Sequence, residues 1–237
     1  MIPVSDAVQT KRFPAVNVAI IIACILVFIY ELTLSVPDLN EFFRDYAIVP
    51  AQLNAWAEDP NGWEEPATVI TSAFLHGGWL HLGGNMIFLW VFGDNVEDAL
   101  GHVVYAVFYV ICAAGAAAAQ VAFDTDSLIP VLGASGAIAG VLAGYLVLYP
   151  RATVITVIPF FFFLPLPIPA FILIGLWFVL QLFAGVATLS AGEVSEVAVW
   201  AHIGGFLTGL VLMLAARPFV PKRAASRRSG RGRQQLF

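Results

Sequence analysis

The sequence predicts an all-α fold, a polytopic transmembrane six-helix bundle, and three observations carry that prediction. Of 237 residues, 60% are hydrophobic and only 11% charged, with a mean hydropathy of +0.87; a soluble domain carries about 25% charged residues. The apolar residues fall into long uncharged blocks, each able to supply a membrane-spanning helix of about 20 residues. Charge is asymmetric: Lys11 and Arg12 precede the first block, and seven of the eleven basic residues, from Arg217 to Arg233, follow the last. A soluble enzyme is excluded, and nothing in the chain resembles a nucleic-acid-binding domain.

The elements follow in order. Residues 1–12 form a short N-terminus, and block 13–30 is a retained first span: basic residues precede it, but no small-x-small cleavage site follows. An outer loop of about 32–70 holds Asp38, Glu41, Asp45, Glu58, Asp59, Glu64 and Glu65. Blocks 67–93, 99–123 and 127–150 supply spans 2 to 4, and 197–216 supplies the last. Cys24 and Cys112 lie inside apolar blocks and read as small buried residues, with no disulfide framework. Asp94, Glu97 and Asp98, between spans 2 and 3, are expected to cap the start of span 3. The tail 217–237, rich in Arg, Ser and Gly, is expected to be disordered and drawn to anionic lipid.

Residues 152–192, all 41 uncharged, could hold one span or two. Pro159, Pro165, Pro167 and Pro169 break any helix through the first half. Phe160–Phe163 is therefore placed at the interface, and one span runs from about Pro169 to Ala184. Six spans put both basic termini on one side, with Arg151, and the positive-inside rule makes that side cytoplasmic. The expected location is a prokaryotic plasma membrane, with any active site opening to the outer side.

This count decides whether two polar residues can meet. Ser135 lies near the start of span 4 and His202, 67 residues later, near the start of span 6. With six spans both enter the membrane from outside at similar depth; a seventh span would put them at opposite faces. A serine in a span is ordinarily satisfied by a carbonyl of its own helix, and becomes a nucleophile only when a base accepts its proton. His202 is the candidate base. Gly133 and Gly136 leave room beside the serine, and Gly205 and Gly209 form a G-x-x-x-G packing face that can bring span 6 against span 4. No carboxylate is placed to orient His202, since Glu193 and Glu196 lie in the outer loop, which favours a dyad.

His81 and Asn85 are four apart and share one helix face, where both can donate to a developing oxyanion. His76 precedes that helix and can hold the loop or donate as well. Metal binding by His76, His81 and His202 lacks an accompanying Cys or acidic ligand, and H-E-x-x-H is absent; no metal or cofactor is expected. Trp177 and Gln181 share a face of span 5, where Gln181 needs a partner. Tyr145 is read as packing.

With these residues in place, the chain resembles the rhomboid family of intramembrane serine proteases over about residues 13–216. Gly133-Ala134-Ser135-Gly136 resembles that family's G-x-S-G on span 4. Ala201-His202-Ile203-Gly204-Gly205 with Gly209 resembles its A-H-x-G-G-x-x-x-G on span 6, and His81 with Asn85 its H-x-x-x-N on span 2. His76 matches a further histidine near the active site. The family's Trp-Arg pair in the first outer loop is not evident, because Trp56 and Trp63 are followed by Ala57 and Glu64.

The resemblance implies an endopeptidase that hydrolyses peptide bonds in or near transmembrane helices of single-span or polytopic membrane-protein substrates. Ser135 would be the nucleophile and His202 the general base, while His81, Asn85 and the Ser135 amide would serve the oxyanion. Water must then reach Ser135 from outside, the substrate must unwind locally, and span 5 and the loop before span 6 are the parts expected to move. The alternative is a catalytically silent relative that binds client transmembrane helices. Transport is disfavoured, since the chain shows no internal repeat.

Overall fold

A computed structural model describes residues 1–158, 164–191 and 198–220. The chain is mostly helical. Helix α1 (Ala15–Glu31) is followed by three short helices, α2 (Val36–Tyr46), α3 (Pro50–Glu58) and α4 (Glu64–Thr71). Next come α5 (Trp79–Phe88), a π-helical turn (Leu89–Gly93) and α6 (Asp94–Leu100), which run on without a break, then α7 (His102–Phe123) and α8 (Ser135–Leu148). Helices α9 (Ala170–Ala191) and α10 (Val199–Ala216) complete the bundle. Among the described residues, two helices, His102–Phe123 and Val199–Phe219, are long and apolar enough to cross a membrane, whereas Ala15–Glu31, Ser135–Leu148 and Ala170–Ala184 are apolar but shorter.

Helix α8 is the axis of the bundle. Every residue from Gly136 to Tyr145 is buried, while its neighbours α1, α7 and α10 turn Leu26, Val103 and Val211 outward. An outer face this apolar would be a liability in water and suits lipid. The small residues of α8 explain its central place. A Cβ on Gly205 would lie 1.9 Å from the Gly136 carbonyl oxygen, and one on Gly209 would lie 2.4 Å from the Gly140 backbone. Backbones in contact at two successive turns hold α8 and α10 side by side in one register. Dispersion between close backbones supplies the attraction that hydrophobicity cannot supply within lipid.

The π-helical turn has a local cause. Widening the helix frees the Leu89 carbonyl, which accepts from Asn17 Nδ2 at 2.9 Å, while Asn17 Oδ1 accepts from Tyr105 Oη at 2.8 Å. Gly93 leaves the space that Asn17 occupies, since a Cβ there would lie 2.1 Å from Asn17 Oδ1. The acids that follow act differently from expectation. Glu97 accepts from the amides of Val16 and Asn17 at 3.0 and 2.7 Å and so caps α1, not α7. Asp98 accepts from the Lys11 amide. A buried carboxylate goes to the nearest unsatisfied amides, and the free amides at the start of α1 lie beside α6.

One departure from an all-α chain is a three-stranded antiparallel sheet in the order β1 (Ile2–Asp6), β2 (Thr153–Val157), β3 (Pro165–Pro169). The prolines that rule out helix here build an edge strand instead. They recur at every second position, so Leu166 and Ile168 supply the amides that face Thr156 and Val154. The outer edge of β3 carries no donor at the prolines, which blunts it against further pairing. Residues 1–12 are thus built into the fold at β1. Asp6 accepts from Tyr145 Oη of α8 and from Asn95 Nδ2 at 3.0 Å. Phe160–Phe163, Glu193, Glu196 and the tail from 221 lie outside the described residues.

Region 32–70 contains α2, α3 and most of α4. Ser35 caps α2, its hydroxyl accepting from the Asp38 amide at 3.4 Å and donating to Asp38 Oδ2 at 2.6 Å. Ile48 and Val131 exchange backbone hydrogen bonds, and the Gly133 amide donates to the Ser72 carbonyl at 2.8 Å. These bonds tie the region to the segment that leads into α8.

Candidate active site

Ser135 is the first residue of α8 and His202 the fourth of α10. The backbone contacts at Gly136–Gly205 and Gly140–Gly209 fix how the two helix starts face each other. Ser135 Oγ lies 2.8 Å from His202 Nε2. With the proton of the neutral ring on Nδ1, Nε2 accepts from the hydroxyl, the pairing a base needs to activate a serine. His202 Nδ1 is buried and has no hydrogen-bond partner among the described residues. Among them, therefore, the serine and histidine form a pair without a carboxylate. The Trp177 ring from α9 packs beside the His202 ring, with centroids 5.8 Å apart.

A cavity of about 720 Å³ opens over the pair, lined by His81 and Asn85 of α5, Gln120 of α7, Trp177 of α9, Ser135 and His202. Asp124 and Ser127 also line it, and the rest of its walls are mainly apolar, with Leu80, Phe88, Ile129, Val131, Leu132 and Ile138 among them. A space of this size takes a short peptide segment, since it lies within the range of ligand pockets, about 300–1,000 Å³.

On the other side of the serine the chain passes through Gly133 at φ +117°, a conformation that favours glycine. Space adds a second requirement: a Cβ there would lie 2.6 Å from His81 Nε2 and 3.6 Å from Asn85 Nδ2. Both side-chain nitrogens thus converge on the backbone two residues before Ser135. Asn85 Nδ2 is buried and unpartnered among the described residues, so its hydrogens are available to a third group. His81 Nδ1 accepts from the Gly77 amide at 3.4 Å, which puts the ring proton on Nε2. The first amides of α8 have no acceptor within their own helix. The two side-chain donors therefore lie beside the segment that carries the hydroxyl.

His76 stands behind His81 and does not line the cavity. It is 1% exposed, its Nδ1 contacts the Phe74 carbonyl at 3.2 Å, and its ring meets the His81 ring edge-on at 5.2 Å. Gly133 and Ser135 border a second, smaller space of about 30 Å³. Gln181 is half-buried and does not line the main cavity.

Gln120 was not singled out from sequence. Its Oε1 accepts from the Ala201 amide at 3.2 Å, one residue before His202, so it fixes the first turn of α10. The signal was present, since a glutamine in an apolar span must find a partner; the sequence names the need but not the partner.

A family model described as the Rhomboid domain matches residues 63–219. Rhomboid protein 1, mitochondrial, of Saccharomyces cerevisiae is 29% identical over 176 residues, covering 70% of this chain and 46% of the yeast protein. RHOMBOID-like protein 5 of Arabidopsis thaliana is 32% identical over 152 residues, 63% of this chain and 44% of that protein. RHOMBOID-like protein 12, mitochondrial, from the same plant is 33% identical over 154 residues, 58% and 43% of the two chains. The matched part of this chain spans less than half the length of each relative. Two of the three are mitochondrial by name, which does not fit the prokaryotic plasma membrane expected from sequence.

Proposed function

Because the chain belongs to the rhomboid family, whose members are integral to membranes, we propose that it is an intramembrane serine endopeptidase acting on transmembrane helices of membrane-protein substrates. The observation that carries this reading is the 2.8 Å contact between Ser135 Oγ and His202 Nε2 at the floor of a cavity large enough for a peptide. A chain that only bound client helices would have no need of a histidine nitrogen aimed at a serine hydroxyl.

In the proposed reaction Ser135 Oγ attacks the scissile carbonyl while its proton passes to His202 Nε2. The tetrahedral oxyanion is stabilised by His81 Nε2–H, Asn85 Nδ2–H and the Ser135 amide. Collapse breaks the C–N bond, and His202 returns the proton to the leaving amine. Water then attacks the acyl-serine, giving its proton to His202, and collapse breaks the acyl C–Oγ bond while His202 returns that proton to Ser135 Oγ, releasing the acid. Trp177 shields one side of the imidazole, and His76 supports His81 from behind.

The six spans we assign are α1, the continuous stretch Trp79–Leu100, α7, α8, α9 and α10. They form one protease domain over residues 13–216, with 1–12 and 217–237 flanking it on the cytoplasmic side and the cavity opening on the other. Lipid and membrane-protein substrates are the partners this arrangement calls for.

The test uses purified full-length protein in detergent or liposomes with a model single-span substrate. Ser135→Ala and His202→Ala are expected to abolish cleavage, a loss of about 10⁴-fold or more, and to abolish labelling by a fluorophosphonate probe. Undiminished cleavage by a clean Ser135→Ala preparation sinks the mechanism.

A further inference from the structure

Glu31 is the last residue of α1, distant in sequence from every group in the proposed reaction, yet it is only 3% exposed. Its Oε1 accepts from the His76 amide at 3.2 Å, and its second oxygen has no hydrogen-bond partner among the described residues. Burying a carboxylate without full pairing is strongly unfavourable. For stability alone, an apolar side chain at the end of α1 would serve better. The position of the acid therefore calls for an explanation in what it holds.

What it holds is the turn that aims His81. The amide of Gly77, next after His76, donates to His81 Nδ1. An imidazole that accepts at Nδ1 carries its proton at Nε2, the nitrogen nearest Gly133. Neither the His76 amide nor the Gly77 amide bonds to backbone: one goes to Glu31 and the other to His81. Without the carboxylate, the Leu75–His76 peptide that leads into the turn lacks its anchor, and two glycines, Gly77 and Gly78, let the next peptide rotate freely. The Gly77 N–H then leaves His81 Nδ1, and the ring can take the other tautomer, which presents a lone pair where the oxyanion needs a donor.

We infer that Glu31 is a positioning residue, which by anchoring the His76–Gly77 turn sets the tautomer and aim of His81 as an oxyanion donor. This rests on the serine-protease reading above. The chain of contacts runs from α1 through a turn to α5, so the end of the first span is coupled to the reaction although it touches no substrate.

The experiment is a kinetic cycle on the full chain in liposomes, with Glu31→Ala, Glu31→Gln, His81→Ala and the double variant Glu31→Ala/His81→Ala. Glu31→Ala is expected to lower kcat about 10- to 100-fold, the scale of a misplaced group, with KM changed by less than about twofold. Glu31→Gln keeps an acceptor oxygen and is expected to stay within about threefold of wild type. The double variant should be no slower than His81→Ala alone, because the acid acts only through that ring. Wild-type kcat in Glu31→Ala, or losses that multiply in the double variant, overturns the positioning role while Ser135-dependent cleavage by wild type leaves the protease reading intact. Equal loss in Glu31→Ala and Glu31→Gln with a lowered Tm assigns the residue to folding and overturns it as well. Absence of Ser135-dependent cleavage in wild type overturns both.

Discussion

At the scale of single residues, Gly133 bears the most stringent requirement in the site. It combines a positive φ with two side-chain nitrogens crowded against its Cα. Gly133→Ala strains the backbone by about 1–2 kcal/mol and pushes the His81 ring from its place. Cleavage is expected to fall at least about 10²-fold, measured against circular dichroism showing helix content retained. The meeting of Ser135 and His202 could be read ahead of the structure because it needed only residue type, spacing and a count of spans. Glu31 and Gln120 could not. Glu31 looks like the charged boundary of an apolar block, and Gln120 like an isolated amide in an alanine-rich one. Their partners are backbone amides 45 and 81 residues away, and a backbone amide leaves no trace in a sequence.

At the scale of elements, the contrast between α10 and the β2–β3 hairpin shows which signals transfer. The spacing of Gly205 and Gly209 announces close packing, and the structure supplies the matching Gly136 and Gly140. The prolines of 165–169 announce only that a helix is forbidden there. They pair with β2, whose other side is taken by β1 from the far end of the chain, a pairing no local pattern encodes. Strand β1 is held to the bundle by Asp6, which meets Asn95 and Tyr145 and lies near Asp94 and Tyr149. Burial raises the Asp6 carboxyl from 3.8 to about 6. Acids that hold protons more tightly when folded add stability below their unfolded value, and that stability is lost as pH rises through the folded value. Tm in detergent is therefore expected to decline between about pH 4 and pH 6, and Asp6→Asn should flatten the decline. A Tm that rises across this window contradicts the assignment.

At the scale of the whole molecule, the helices divide by burial as well as by length. Helix α8 is enclosed on all sides, while α1, α7 and α10 each offer an apolar outer face. The sequence conveyed the apolar blocks but treated them as equivalent, because hydropathy does not distinguish a helix surrounded by protein from one facing lipid. If the six-span arrangement holds, reporter fusions at residue 1 and at residue 237 should both report the cytoplasmic side, and one between α7 and α8 the opposite side. Opposite readings at the two termini refute an even number of spans.

The 14 residues of α8 make a rod about 21 Å long at 1.5 Å per residue, several ångströms short of a hydrocarbon layer of about 30 Å. In the proposed six-span arrangement, a central helix that falls short of the bilayer would leave a well above its upper end, with the hydroxyl at the bottom. On the proposed protease reading, the length of one buried helix would work as a depth gauge, setting how far below the lipid headgroups a peptide bond must descend before it can be cut.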